Sequence, residues 1–283
     1  MLQVDTPRLG LSESATRPSV FKGDCLRVIP GKITDGSVDL VITSPPYADR
    51  RKNTYGGVHP DQYVDWFLPR SEVILNCLNP GGSFILNIKE RVVNGERHTY
   101  VLDLIHGMRA QGWRWVEEYC WHKKNCYPGK WSNRFRDSWE RVLHFTRSEK
   151  FKMRQDAVRV PMGNWRSARL RNLSETDRVR DNSRTMSNFG KRVANWEGRD
   201  WAYPTNVLHM ATECSNRGHP ATFPESLPDW FIRLFTDSGD VVLDPFAGSG
   251  TTLVAAHRLG RSSVGIDMSE EYCRLMRERI RAL

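Results

Sequence analysis

Asp244-Pro245-Phe246-Ala247-Gly248-Ser249-Gly250-Thr251-Thr252 is the stretch that decides the fold. The run Val241-Val242-Leu243 before it is short and apolar, as a buried strand is, and the residues after it read as a helix up to Leu259. A glycine-rich turn between strand and helix lets the backbone approach a ligand closely, and the helix N-terminus behind it favours a carboxylate or phosphate. Ser263–Ile266 is the next strand and closes on Asp267, 19 residues after Gly248. In nucleotide-binding α/β folds an acid at that place holds ribose hydroxyls. A glycine turn alone would also serve a plain strand-to-helix connection; Asp267 is what points to a ligand. Thr251, Thr252 and Leu253 follow Gly250, so the third glycine of G-x-G-x-x-G is missing. That glycine permits close helix packing in dinucleotide enzymes, and its absence argues against a nicotinamide-dependent oxidoreductase.

Working outward, Glu270–Arg281 reads as a terminal amphipathic helix and Phe223–Thr236 as the helix before the turn. In the front half, Ser19–Phe21 is a strand signal, followed by Gly23-Asp24 and a helix. Ser37–Thr43 is an unbroken apolar, β-rich run that predicts a strand buried on both faces. It stops at Ser44-Pro45-Pro46-Tyr47, because two prolines cannot continue a central strand. Residues 48–62 predict a mobile loop, Gln62–Leu78 a helix stopped by Asn79-Pro80-Gly81-Gly82, Ser83–Ile88 a strand, Thr99–Gln111 a helix, and Trp113–His122 and Glu140–Thr146 two further strands. The alternation predicts an α/β fold with a mostly parallel central sheet and helices on both faces.

The chain has 283 residues and a net charge of +9. Residues 150–200 hold 13 Lys and Arg against 6 Asp and Glu, so +7 of that charge sits in a stretch rich in Asn, Ser and Trp and without periodicity. A polyanionic partner is the natural reading of such a block. The expected organisation is an N-terminal arm over 1–20, an α/β domain over 21–149 and 213–283, and a separate loop-rich subdomain over 150–212. Residues 1–20 are polar and lack the apolar core of a secretory signal, and no apolar run matches a membrane span, so a cytoplasmic protein is expected. The six cysteines form no C-x-x-C pair and read as reduced thiols. Neither Cys120, His122 and Cys126 nor His209, Cys214 and His219 has the spacing of a common zinc finger, so no metal is expected.

The glycine turn, from Asp244 to Thr252, resembles the S-adenosylmethionine motif of the amino-methylating DNA methyltransferases. His219-Pro220-Ala221-Thr222-Phe223-Pro224 looks like the family's other cofactor motif, and Gly23-Asp24 like its N-terminal Gly-Asp. Thr43-Ser44-Pro45-Pro46-Tyr47 resembles its catalytic tetrapeptide, Asp/Asn/Ser-Pro-Pro-Tyr/Phe, and Trp131–Thr146 resembles another family segment. The likeness covers roughly residues 20–148 and 212–283. The catalytic motif precedes the basic block and the cofactor motifs, which is the permuted order of the β group. The resemblance implies a Rossmann-like methyltransferase fold with a small target-recognition subdomain at 150–212. It implies S-adenosylmethionine as cofactor and no metal. By resemblance Asp244 binds the methionine amino group, Asp267 the ribose, and Asp24 lies near the adenine. Thr43, His219, Pro220, Phe223, Pro224, Pro245, Phe246, Gly248, Ser249, Gly250, Thr251 and Thr252 complete the implied cofactor site.

The chemistry explains the catalytic residue types. An exocyclic amine delocalises its lone pair into the ring and is a poor nucleophile. Hydrogen bonds accepted from its N–H groups by the Ser44 hydroxyl oxygen and the Pro45 carbonyl draw the nitrogen towards a tetrahedral shape and free the lone pair. Pro46 stiffens that turn. The target base must leave the duplex, and stacking on Tyr47 offsets part of that cost. By resemblance Ser at position 44 favours cytosine N4, because adenine-N6 members of the group more often carry Asp or Asn there; adenine N6 is the alternative, since all three side chains accept from an amine. The resemblance implies double-stranded DNA as partner, restriction-modification as context with room for a cognate endonuclease that forms no stable complex, a monomer or homodimer, and a place on the prokaryotic nucleoid. In the basic block, Arg159, Arg166, Arg169, Arg171, Arg178, Arg180, Arg184, Lys191 and Arg192 are the candidate DNA contacts, most of them to phosphate or solvent. A non-catalytic DNA-binding module on the same fold stays open at this point, although the intact Ser44–Tyr47 motif speaks against it.

Overall fold

The computed structural model describes residues 18–49, 57–126, 129–164, 174–176, 198–212 and 223–283. The chain divides into two compact units, Met1–Arg154 with Asn206–Leu283, and Gln155–Thr205.

The first unit runs β1 (Ser19–Lys22), α1 (Cys25–Lys32), β2 (Val38–Thr43), α2 (Pro60–Cys77), β3 (Leu78–Ile88), a small hairpin β4 (Val92–Val93) and β5 (Glu96–Arg97), α3 (Tyr100–Ala110), β6 (Arg114–Lys123) and β7 (Trp139–Thr146). After the second unit, which carries β8 (Val160–Pro161) and β9 (Trp201–Ala202), it resumes with β10 (Val207–Met210), α4 (Ser226–Phe235), β11 (Val241–Asp244), α5 (Thr251–Arg258), β12 (Ser262–Asp267) and α6 (Glu270–Arg281). Among the described residues the main sheet has eight strands in the order β1-β12-β11-β2-β3-β7-β6-β10. Only β7 runs against its neighbours, pairing antiparallel with β3 and β6. The mostly parallel sheet read from the sequence is therefore what forms.

Burial follows the two-residue period of the strands. Val41, Phe84, Leu86, Ile88, Leu243 and Val264 share one core cluster with Ile29 of α1, Phe67 and Ile74 of α2 and Leu104 of α3. Leu40, Ile42, Ile85 and Val242 alternate to the other side and are equally buried. His144, register partner of Ile85, stands there 4.5 Å ring to ring from Phe235 of α4. Local signals set the helix starts. Asp24 caps α1 by accepting from Leu26 N at 3.1 Å, and Ser269 caps α6 by accepting from Tyr272 N at 3.3 Å. Glu270 and Glu271 in its first turn and Arg279 and Arg281 in its last complement the α6 dipole.

Three expectations change. Asn79-Pro80-Gly81-Gly82 ends α2 but does not separate it from the strand, because β3 already begins at Leu78. Leu78 pairs with Val38 and Ser83 with Leu40, and the intervening residues form an irregularity in the ladder. Gly82 is required there, since a Cβ would stand 2.9 Å from the Asp39 carbonyl oxygen. The patternless segment is also narrower than 150–212. The backbone of Lys152 and Arg154 bonds to Gly81 O and Leu234 O of the first unit. Val207–Met210 is an edge strand paired with Cys120–Lys123. Only Leu208 of that strand is buried, which leaves no periodicity to read. Finally, the Phe223–Thr236 helix begins later, at Ser226. Of the 48–62 loop, residues 50–56 lie outside the described residues.

The second unit has a turn of 3-10 helix, Gln155–Val158, and the antiparallel pair β8–β9. Met162 N donates to Asp200 O at 3.0 Å beside that pair. Among the described residues, no helix is long and apolar enough to cross a membrane.

Candidate active site

β2 and β11 are parallel neighbours, with Leu40 opposite Val242 and Val41 opposite Leu243. Their C-terminal ends, one carrying Ser44-Pro45-Pro46-Tyr47 and the other the glycine turn, thus emerge side by side. A hydrogen bond joins them: Thr43 Oγ1 donates to Asp244 Oδ1 at 2.6 Å.

Asp244 is 2% exposed. Its other oxygen accepts from Thr252 Oγ1 at 2.6 Å, and Phe246 N donates to Oδ1 at 3.1 Å. Burial pushes its carboxyl up to about 6, against the pull of these donors. Gly248 and Gly250 both take positive φ, 51° and 81°, which favours glycine. A Cβ on Gly250 would stand 2.7 Å from Met276 Cγ of α6. Gly248 N donates to Asp267 Oδ2 at 3.0 Å and Ser269 N to its Oδ1 at 2.8 Å, while burial raises that carboxyl. Arg279 of α6 holds the turn by donating to Ser249 O at 2.8 Å. Thr251 opens α5 behind it, and Pro245 is buried.

Gly23 N donates to Asp267 O at 2.9 Å and so brings Asp24 to the same edge. Asp24 Oδ2 is paired with Arg70 Nη2 of α2 at 2.8 Å. The Arg70 guanidinium lies 4.3 Å over the Trp66 ring, and Phe246 stands 5.8 Å from that ring. Asp24, Trp66, Arg70 and Phe246 therefore form one wall beside the glycine turn. Phe223 is half-buried, and Pro224 leads into α4, its carbonyl accepting from Leu227 N at 3.0 Å. His219 and Pro220 lie outside the described residues.

On the other side, Tyr63 donates its hydroxyl to the Pro46 carbonyl at 2.9 Å from a fully buried position on α2. This clamps the proline turn, in which Pro45 is also buried. Tyr47 donates its hydroxyl to Glu140 Oε2 of β7 at 2.6 Å, and burial, then Glu140, hold that hydroxyl well above its ordinary value. Ser44 Oγ donates to Tyr47 Oη at 3.3 Å. Asn87 of β3 donates from Nδ2 to Tyr47 Oη at 2.9 Å, to Glu140 Oε2 at 3.1 Å and, more distantly, to Ser44 Oγ at 3.4 Å. Its Oδ1 is buried and has no hydrogen-bond partner among the described residues. Lys123 of β6 pairs with Glu140 Oε1 at 2.5 Å. Burial would raise the Glu140 carboxyl, but Lys123 and the Tyr47 and Asn87 donors hold it below the usual range. Asn87 and Lys123 escaped the sequence reading, as did Trp66 and Arg70, while Glu140 lay in the Trp131–Thr146 segment that resembles the family but was given no role. A lone Asn in the apolar run Phe84–Ile88 was the one local signal.

Of the nine basic candidates, only Arg159 is described, and it pairs with Asp156 at 3.2 Å inside the second unit. It borders a cavity of about 230 Å³ with Arg199, Asp200, Trp201 and Tyr203. Arg166, Arg169, Arg171, Arg178, Arg180, Arg184, Lys191 and Arg192 lie outside the described residues. Among the described residues no group of three His, Cys, Asp or Glu could hold a metal ion. His122 and His209 do meet, Nδ1 to Nδ1 at 3.0 Å, on adjacent strands.

The glycine turn and the Ser44–Tyr47 turn thus leave neighbouring parallel strands side by side, joined through Thr43 and Asp244. Residues 38–278 match the DNA methylase family of N6 and N4 methyltransferases, and the chain belongs to that family. It is 30% identical over 281 residues to the type II methyltransferase M.PvuII of Proteus hauseri, covering 90% of this chain and 81% of that relative. A solved structure described as PvuII DNA methyltransferase (cytosine-N4-specific) superposes with a TM-score of 0.71 at 26% identity, over 95% of this chain and 87% of that one. The fold is shared with the M1.HpyAVI–SAM complex, TM-score 0.56 at 18% identity, over 93% of this chain and 99% of that one.

Proposed function

We propose that the protein transfers a methyl group from S-adenosylmethionine to N4 of a cytosine extruded from duplex DNA, as the modification enzyme of a restriction-modification system. The observation that carries this is the 2.6 Å Thr43–Asp244 hydrogen bond, which ties the amine-polarising motif to the glycine turn. The first unit fits the cofactor. Among the described residues Asp244 is a buried acid whose hydrogen-bond partners are two hydroxyls and a backbone amide and include no cation, and such a carboxylate is completed by a cationic ligand. Asp24, Phe246, Gly248, Gly250 and Asp267 would hold the remainder. Bound there, S-adenosylmethionine supplies an electrophilic methyl group.

The chain's own residues do the rest. Ser44 Oγ and the Pro45 carbonyl accept the two N–H bonds of the target amine, so that its lone pair turns towards the methyl donor. The two prolines stiffen that turn, and Tyr63 holds the next carbonyl along, that of Pro46, at 2.9 Å. Tyr47, with its hydroxyl tied down, offers a ring of fixed orientation to the extruded base. The +7 block over residues 150–200 belongs to DNA recognition, with Gln155–Thr205 as the recognition unit. Both motifs lie in one chain, and the protein acts as a monomer or a homodimer. A restriction endonuclease acting on the same site, and chromosomal DNA in a prokaryotic cytoplasm, complete the reading.

The test is incubation with duplex DNA and labelled cofactor, then digestion to nucleosides. Label in N4-methylcytosine is expected, and mapping in expressing cells then gives the site. Label in 5-methylcytosine, or in no base, would overturn the proposal. Label in N6-methyladenine would move the target base and keep the enzyme class.

A further inference from the structure

We infer that Glu140 is a positioning residue which, acting through Tyr47, makes the Ser44 hydroxyl a committed acceptor for the target amine. The inference rests on the methyltransferase reading and adds to it the group that orients the catalytic serine.

A serine hydroxyl both donates and accepts, and its proton rotates to suit its surroundings. Only one of these roles helps here. Accepting an N–H from the amine frees the nitrogen lone pair, whereas donating to that lone pair blocks the position the methyl group must reach. Something must therefore point the Ser44 proton away from the base. An ionised carboxylate has no proton to give, so Tyr47 must donate to Glu140 Oε2, at 2.6 Å. Its single proton spent, Tyr47 Oη can only accept, and it does so from Asn87 Nδ2 at 2.9 Å and Ser44 Oγ at 3.3 Å. The Ser44 proton is thereby directed inward and an oxygen lone pair faces the pocket. Asn87 cannot reverse this order, because its amide also donates to Glu140 at 3.1 Å.

The direction of the chain depends on the charge of Glu140. The groups facing it are Lys123 of β6, Asn87 of β3 and Tyr47 of the proline turn, with Tyr100 of α3 close enough to Tyr47 to interact electrostatically. Lys123 is the only cation among them and keeps the 6%-exposed carboxylate ionised. Stability alone does not account for this pair. Trp121 and Glu140 already face each other across the β6–β7 ladder, and a buried ion pair is a weak stabiliser compared with apolar packing.

Glu140→Gln keeps the shape and reverses the polarity. The glutamine oxygen goes to Lys123, its amide donates to Tyr47, and Tyr47 is released to donate to Ser44. Single-turnover methylation of a duplex bearing the mapped site should fall about 100-fold, the size of losing one oriented polar partner. Cofactor and DNA affinities should stay within about 3-fold, well short of that loss. Tyr47→Phe breaks the same chain with minimal change of packing and should fall comparably. In a Ser44→Ala background, Glu140→Gln should bring almost no further loss, because groups acting as a unit are not additive. Undiminished turnover of Glu140→Gln, or a loss that multiplies with that of Ser44→Ala, overturns the inference while leaving the methyltransferase reading intact. If Glu140→Gln does not fold, Tyr47→Phe alone and combined with Ser44→Ala decides by the same criteria. A wild-type protein that methylates no DNA base overturns reading and inference together.

Discussion

Replacing Asp244 by Asn should make the ligand-free protein more stable and cripple its cofactor binding. In the folded chain burial holds the Asp244 carboxyl at about 6, against 3.8 for an ordinary aspartate. At about 1.4 kcal/mol per pH unit of displacement, carrying this charge in the fold costs up to about 3 kcal/mol. The sign follows from linkage. Because the folded value is the higher one, the stability contributed by the protonated acid is complete below pH ~3.8, declines as pH rises, and is lost above pH ~6. Asparagine imitates the protonated acid at every pH. Urea denaturation of both proteins without ligand should therefore show little difference near pH 4, a gap in favour of the variant that widens between about pH 4 and 6, and a plateau of up to about 3 kcal/mol above. Comparing the two proteins cancels the other raised carboxyls, Asp39 and Asp267. Calorimetry at pH 8 should show the opposite order for S-adenosylmethionine, with the variant binding at least 10-fold more weakly, since an unpaired buried charge and its cationic ligand are worth more than about 1.4 kcal/mol together. A gap that does not change with pH, or a variant less stable throughout, would refute the reading of Asp244 as a buried acid awaiting a cation.

Ser44→Ala should reduce methyl transfer about 100-fold or more while S-adenosylmethionine binding, read by calorimetry, stays within about 2-fold of wild type; an equal loss of cofactor binding would remove Ser44 from the catalytic role. Gly250→Ala meets both a φ of 81° and Met276 at 2.7 Å, so thermal unfolding should report a loss of about 1–3 kcal/mol and cofactor affinity should fall with it. Affinity for non-specific duplex should drop about 1,000-fold between 50 and 200 mM salt if the basic block neutralises about six phosphates. A flat titration would separate that block from DNA binding.

What could be read in the sequence was what local chemistry dictates. The glycine turn, the proline turn and Asp267 owe their residue types to backbone conformation and hydrogen-bond capacity within a few positions. Their juxtaposition could be expected, because apolar runs ending at such turns form parallel strands. The bracing of Ser44 was not legible. Tyr47, Asn87, Lys123 and Glu140 come from the β2 turn, β3, β6 and β7, and they meet only because β7 inserts antiparallel between β3 and β6. No spacing in the chain encodes that order, and the family-like segment Trp131–Thr146 that contains Glu140 does not say which residues it meets.

The same topology explains why two carboxylates at one end of the sheet behave oppositely. Asp244 and Glu140 are both almost wholly buried, 2% and 6% exposed, and burial alone would raise both. Lys123 reverses the outcome for Glu140, whereas Asp244 is surrounded by hydroxyls and an amide, which reduce the rise without cancelling it. Glu140 thus has its counter-charge supplied by the chain, through Lys123. Among the described residues Asp244 has none, and the fold carries that charge at the place where, on the proposed reading, a cationic cofactor would relieve it. Supplying Asp244 with a lysine from a neighbouring strand would stabilise the empty protein and leave the cofactor's positive charge little to gain. On the proposed reading, the carboxylate that costs stability is the one left for the cofactor, and the carboxylate already paired is the one that orients.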